Sequence, residues 1–260
     1  MTFETLQDPA RDADMTTNTE IPLAAVWNQL VSGTCTVVEA FFGPARCYMV
    51  LSFSERRARE WPDLHQEILE RILSGQCQKV VAIELGLAPS TVAQNARQAL
   101  EATGASCRPS RAHPLLMLAA KSARERDLSR VASSTFASGS ESRLRVLSVM
   151  RPEHHLSGRL PRAELSVLQH LVEGRSHAEI ASLRGTSVRT IANQLASIFR
   201  RLSVSGRNDL IHSLFASGHH LPLRRPSTQG APATVRDPRP QVAHEASHEV
   251  HSSSVRLVAR

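Results

Sequence analysis

Ten polar residues between positions 184 and 207 have the types and the spacing to grip a polyanion and to read base edges. They are Arg184, Ser187, Arg189, Thr190, Asn193, Gln194, Ser197, Arg200, Arg201 and Arg207. Arg189 and Asn193 stand four apart, one helical turn, and each can make paired hydrogen bonds, Arg to guanine and Asn to adenine. Ser187 and Thr190, with the free amides of a helix start, suit a phosphate oxygen. Arg184, Arg200, Arg201 and Arg207 add charge for further phosphates. On an exposed helix face, an arginine that is only solvated is the competing reading for each.

The residues around them supply the scaffold. Leu165, Leu168, Leu171 and Val172 predict a first helix, and Ile180 to Leu183 a short second one. Ile191, Leu195, Ile198, Phe199 and Leu202 predict a long third helix, and Leu210, Ile211, Leu214 and Phe215 a fourth. Gly174 ends the first, where a positive φ is free of strain. Ser176 with Glu179 forms a capping box for the second, and Ser187 is placed to cap the third. A short helix, a glycine turn and a longer helix have helix-turn-helix spacing. The buried stripe of the third helix leaves Arg189, Ala192, Asn193, Ser197 and Arg200 on the side that would enter a major groove.

Residues 160–216 resemble the DNA-binding domain of the LuxR (GerE) family of bacterial transcription regulators. The resemblance is carried by Glu164, Val167-Leu168, Gly174, Glu179-Ile180-Ala181, Ser187, Thr190-Ile191, Asn193, Leu202, Val204, Arg207 and Leu210. Pro161 stands where the family usually has a capping Thr, and Arg184 and Thr186 where it has Leu and Ile. Ala178 and Ala192 occupy positions that often carry Lys, which lowers the expected DNA affinity. The resemblance implies double-stranded DNA as partner, in the bacterial cytoplasm at the nucleoid. It also implies self-association through Leu210, Ile211 and Leu214 of the fourth helix. RNA polymerase is a further candidate partner.

Composition narrows the alternatives. The net charge of +7 lies wholly in the C-terminal half: residues 1–60 carry −3 and 61–120 carry 0, while 121–159, 160–216 and 217–260 carry +4, +3 and +3. A polyanion would be drawn there, and a basic surface that serves only solubility is the alternative. Aromatic residues make up 4%, too few for a single-strand binder that stacks bases. The four Cys (Cys35, Cys47, Cys77, Cys107) show no CxxC or Cys/His ligand spacing, so no metal or other cofactor is expected. No apolar run has the length of a membrane span, and the polar, acidic first twenty residues are not a signal peptide. No nucleophile–base pair, carboxylate dyad or Gly-rich phosphate loop appears, so the chain does not read as an enzyme, and no small-molecule ligand is evident.

The remainder divides as follows. Residues 1–20 read as a disordered lead. Residues 21–60 predict a helix over 22–33 and a β-hairpin, 36–42 with 47–53, joined by Gly43-Pro44-Ala45-Arg46. Residues 61–120 repeat the later domain: placing Gly75 on Gly174, a shift of 99, aligns 61–108 with 160–207 without a gap. Nine positions are then identical (Pro62, Leu69, Gly75, Ala82, Gly86, Thr91, Ala93, Ser106, Arg108). This copy is degenerate: Cys77, Val80 and Ala88 replace the capping residues, and Ser90, Gln94, Asn95, Arg97 and Glu101 make a nearly neutral face. An insertion around Pro109–His113 precedes its closing helix. Residues 121–159 read as a linker, helical near Lys121 to Val131, with a second hairpin over 131–150 turning at SGSES. In it Val146-Leu147-Ser148 echoes Val50-Leu51-Ser52. Residues 217–260 read as a disordered basic tail with His219, His220, His244, His248 and His251. The fold class expected is mainly α: tandem four-helix helix-turn-helix domains with small β-hairpins and disordered termini. Self-association would be as a homodimer or as an intrachain pseudo-dimer. The function expected is a sequence-specific DNA-binding transcription regulator. The alternative is a protein-interaction factor, a co-regulator or anti-activator built from degenerate helix-turn-helix domains.

Overall fold

The two hairpins predicted separately join edge to edge into one antiparallel sheet. In the computed structural model, which describes residues 4–16, 19–53, 61–105, 112–138, 142–156 and 158–216, strands β2 (Cys35–Phe42) and β3 (Arg46–Phe53) form the first hairpin. Strands β4 (Arg130–Ser138) and β5 (Ser142–Met150) form the second, and β1 (Thr19–Pro22) flanks it. The order is β1-β4-β5-β3-β2, antiparallel throughout, with β3 and β5 paired from Arg46↔Met150 to Ser52↔Leu144. The expected linker of 121–159 is therefore corrected: Lys121 to Glu125 end a helix, and β4 and β5 stand inside the sheet. A lone hairpin is marginal, and joining the two pairs the inner edges of β3 and β5 and makes one sheet wide enough for helices to cover.

Ten α-helices surround this sheet among the described residues. Helix α1 (Glu4–Thr16) corrects the disordered lead. Leu6, Ala10 and Ala13, spaced one turn apart, cover the sheet face made by Phe41, Tyr48, Val50, Leu144 and Val146. Three small contacts give a helix little stability by themselves, so the sheet supplies what the local sequence lacks. On the other face lies α2 (Leu23–Val31), which buries Leu23, Val26, Trp27 and Leu30. Its Trp27 Nε1 donates to Glu70 Oε1 at 2.6 Å.

Next come α3 (Asp63–Leu73), α4 (Gln78–Glu84), α5 (Pro89–Ala102) and α6 (Pro114–Glu125). Helix α6 packs on α2, α3 and the sheet, and its first seven residues, Pro114 to Ala120, are all apolar, which makes that part of it a core helix. The C-terminal helices are α7 (Arg162–Val172), α8 (His177–Arg184), α9 (Val188–Leu202) and α10 (Arg207–Ala216), entered through a 3-10 turn at Pro152–Leu156. Three starts in the C-terminal set follow three in the N-terminal set by the shift of 99: Asp63 and Arg162, Gln78 and His177, Pro89 and Val188. The first core centres on α2, α6 and the sheet, and a second lies within α7–α10. A smaller cluster of Ile68, Ile72, Val81, Ala82, Val92 and Ala96 holds α3–α5 together.

One glycine is fixed by a close approach. Gly104 has φ +86, and a Cβ there would meet the Val37 carbonyl oxygen at 2.3 Å. This contact seats the turn after α5 on the edge of β2, where Val37 N donates to Thr103 O at 2.7 Å. The basic tail over 217–260, its histidines, residues 106–108 at the end of the repeat and 109–111 of the insertion lie outside the described residues.

Candidate nucleic-acid interface

Local chemistry builds the α8–turn–α9 unit. Ser176 Oγ accepts from Glu179 N, and Glu179 Oε2 accepts from Ser176 N at 2.6 Å, a complete capping box. Gly185 turns left-handed at φ 60 to stop α8. Ser187 then caps α9, its Oγ accepting from Thr190 N at 3.0 Å and lying 2.9 Å from the Thr190 hydroxyl. The N-terminal counterparts have lost this chemistry: Cys77 and Ala88 make no side-chain cap.

Helix α9 divides cleanly into two faces. Ile191, Leu195, Ile198 and Leu202 are buried against α7, α8 and α10. Arg189, Asn193, Ala196 and Arg200, at the complementary spacing, are exposed. Together with Ser187 and Thr190, also exposed, they form one polar ridge that starts at the positive end of the helix dipole. Val188 and Leu183, exposed at 49% and 56%, flank its start. The sequence marks Leu183 only as an apolar residue of the second helix and does not single out Val188.

The other five nominated residues are half-buried. Arg184 folds back on α7, its Nη1 donating to Ser166 Oγ at 2.6 Å. Ser197 Oγ donates to Glu164 Oε1 at 3.1 Å, and Arg201 Nη2 lies 3.7 Å from the same oxygen. Glu164 thus ties α7 to α9. Gln194 has its Oε1 buried with no hydrogen-bond partner. Arg207 is the first residue of α10.

Helix α10 is covered on two sides. Leu210 and Leu214 belong to the core of α7–α10, whereas Ile211 belongs to the core around α2 and α6, and Phe215 packs on both. Asn208 Nδ2 donates to the Ile72 carbonyl at 2.9 Å. His212, 3% exposed, sits by Gly75, its Nδ1 3.6 Å from where a Cβ would be. Burial first, then the Lys121 charge, pushes its pKa down to about 4, against weaker upward pulls from Met117 and Leu73 backbone and Asp209.

A second attachment lies at the end of α7. Arg151, 7% exposed, donates to Glu153 Oε1 at 2.6 Å, to Glu173 Oε1 at 3.2 Å and to the Gly43 carbonyl at 3.2 Å. Burial opposes ionisation of Glu173, but hydrogen bonds from Arg175, His170 and Arg151 outweigh it and hold its carboxyl below the usual range. This cluster was invisible in the sequence because its members are gathered by tertiary structure. Beside it, His113 caps α6 through Nδ1, and burial pushes its pKa down to about 4. It lines a cavity of about 380 Å³ with Phe42, Leu116, Val172, Glu173 and Gly174.

On the N-terminal unit the corresponding face has different chemistry. Arg97 pairs with Glu101 at 3.5 Å, and the Asn95 amide donates to the Thr91 carbonyl at 2.8 Å. Val80 and Ile83 of α4 are exposed at 43% and 72%.

Comparison with known proteins bears on the C-terminal unit alone. Residues 159–214 match the family model described as GerE, bacterial regulatory proteins, luxR family, so this segment is a LuxR-type helix-turn-helix domain. No curated protein and no solved structure matches the chain. No helix among the described residues is long and apolar enough to cross a membrane.

Proposed function

We propose that the protein is a sequence-specific DNA-binding transcription regulator that inserts α9 of its LuxR-type domain into the major groove. The observation that carries this reading is the exposed ridge Arg189–Asn193–Ala196–Arg200 opposite the buried stripe of α9, with both caps intact. Arg189 and Asn193 read base edges. Ser187, Thr190 and the amides at the start of α9 hold one phosphate, and Arg200 neutralises another, with Arg207 flanking. Arg184, Ser197 and Arg201 keep the head rigid. The reading places the protein in the cytoplasm at the nucleoid.

The N-terminal helices α3–α6 act as a degenerate copy that contributes little sequence reading. Their face is electroneutral, with Arg97 paired to Glu101 and the Asn95 amide bonded to the Thr91 carbonyl. A second reading, a protein-interaction factor, is favoured by the exposed Val80 and Ile83, which offer an apolar contact to a partner such as RNA polymerase. Selection of bound fragments from a random duplex library, followed by sequencing, tests the first reading. A recurrent motif with binding that weakens steeply in salt is the result expected. Absence of salt-sensitive duplex binding would overturn it and leave the second reading.

A further inference from the structure

The two halves meet by a rule more specific than packing. Left-handed turns recur at the shift of 99: Gly75 and Gly174, Gly86 and Gly185, Gly104 and Ser203, with φ values of 101 and 91, 65 and 60, 86 and 56. In the sheet, β3 and β5 pair with Val50 opposite Val146. Any antiparallel pair has local twofold axes. Here one axis passes where the sequences coincide, Val50-Leu51-Ser52 against Val146-Leu147-Ser148. The pairs on either side are then images of one another: Met49↔Leu147 answers Leu51↔Arg145, and Tyr48↔Ser148 answers Ser52↔Leu144. The hairpins agree, since Phe41 faces Tyr48 as Phe136 faces Leu144.

The helices are reciprocal as well. Helix α10 of the second half seats Asn208 and His212 on the end of α3, at Ile72 and Gly75. The start of α6 in the first half, His113 and Pro114, faces the end of α7, at Val172 and Gly174, across the shared cavity. Gly75 and Gly174 are equivalent positions. An element that meets its counterpart's partner in both directions is the mark of an isologous, twofold interface.

We infer that the N-terminal half is a built-in second subunit: one chain holds both sides of a twofold interface, and its N-terminal unit covers the side of α10 that faces away from α7–α9. Leu210 and Leu214 are used inside their own unit, and Ile211, His212 and Phe215 are covered by the other half. The partner of the α10 surface is thus the first half of the same molecule, and the protein is monomeric. With the DNA-reading function proposed above, on which this clause alone rests, it carries one reading head per molecule.

Light scattering on the full chain without DNA tests the inference independently of DNA binding. The expected mass is 28.5 kDa at every concentration from about 1 to 100 µM, a range that brackets Kd values of weak association. A mass of two chains, falling on dilution, would overturn it. A second measurement reads the contact itself. The Cβ position at Gly75 lies 3.9 Å from Asn208 Cβ, inside the range a disulfide spans. In a Cys77→Ser background, Gly75→Cys with Asn208→Cys should crosslink within one chain on oxidation and migrate as a compact monomer. Dimeric bands linked through these cysteines would show that α10 docks on another molecule and that the inference is wrong. On a duplex with one site, one chain should bind. Failure to bind any duplex would sink the DNA reading while leaving the mass and the crosslink as they are.

Discussion

Replacing Arg201 by alanine separates the residues that read DNA from those that hold the reader. Arg201 Nη2 lies 3.7 Å from Glu164 Oε1, which also accepts from Ser197, while the other Glu164 oxygen is buried without a partner. The Glu164 side chain is 13% exposed and that of Arg201 27%. Arg201→Ala leaves a largely buried carboxylate with one hydroxyl to satisfy it, at a cost of about 1–3 kcal/mol. For a protein of this size that is a fall in Tm of about 2–4 °C per kcal/mol. Adding Glu164→Gln removes the stranded charge and should restore a large part of the loss, a coupling that a double-mutant cycle measures. Asn193→Ala should do the converse. Asn193 is exposed on α9, so Tm should hold, while preference for the selected site over random DNA falls by about 1–3 kcal/mol, roughly 5- to 150-fold. Thermal melts and fluorescence anisotropy on both duplexes, run well below Tm, give both quantities. If Arg201→Ala leaves Tm unmoved and weakens binding to every sequence alike, Arg201 is a phosphate contact and the strut assignment is wrong.

Further outcomes follow from the same geometry. Arg200→Ala should flatten the dependence of log K on log salt by about 0.9, the slope carried by one lost phosphate contact; an unchanged slope refutes the phosphate role of Arg200. Gly104→Ala should destabilise by about 3 kcal/mol, from a strained φ of +86 and the lost Val37–Thr103 hydrogen bond. Gly86→Ala, with open space around it, should cost only about 1–2 kcal/mol, and equal Tm shifts would count against the close approach. Arg151→Ala leaves Glu153, 0% exposed, as a buried uncompensated charge, and should cost about 3–5 kcal/mol in a denaturant titration. His212 has its folded pKa lowered from 6.5 to about 4, so the unfolded chain takes up the proton first. Its stabilisation is intact above pH 6.5 and is lost as pH falls toward 4, by roughly 3 kcal/mol. His212→Gln should shrink that loss, and an unaltered pH profile would argue against a buried neutral imidazole.

How far the sequence could be read depends on the range of each interaction. The α8–α9 unit was legible because its signals are local: a capping box four residues long, a cap at Ser187, a stripe repeating each turn. Both hairpins were legible from their runs of β-formers. Their fusion was not, because the pairing of β3 with β5 joins residues about a hundred positions apart and leaves no mark on either run. Helix α1 was missed since Leu6, Ala10 and Ala13 form a face too small to stand out, and the sheet that buries it is assembled later in the chain. Among the nominated contacts, Ser197 and Arg201 looked like Asn193 because all are polar on one helix. Only the position of Glu164, on α7 more than thirty residues earlier, turns those two toward the protein.

That dependence on distant partners also limits what the boundary at residue 160 means. The stretch matched to the LuxR family carries most of a cluster that runs from Leu160 to Leu214, with Leu156 before it and Phe42 of β2 packed against it. Yet Ile211, 0% exposed, and part of Phe215 are buried by the N-terminal half. Cutting the chain before α7 would bare that side of α10, at up to about 1.5–3 kcal/mol for a side chain such as Ile that loses full burial. It would also strand Glu173, which depends in part on Arg151. The bared surface carries Ile211 and Phe215 beside Asn208 and His212, belongs to one helix and lies opposite the helix's own core side, so a second copy of the fragment is the partner best shaped to cover it. A reading head that pairs when isolated, and stays single when its own N-terminal half is attached, is what a twofold interface held within one chain requires.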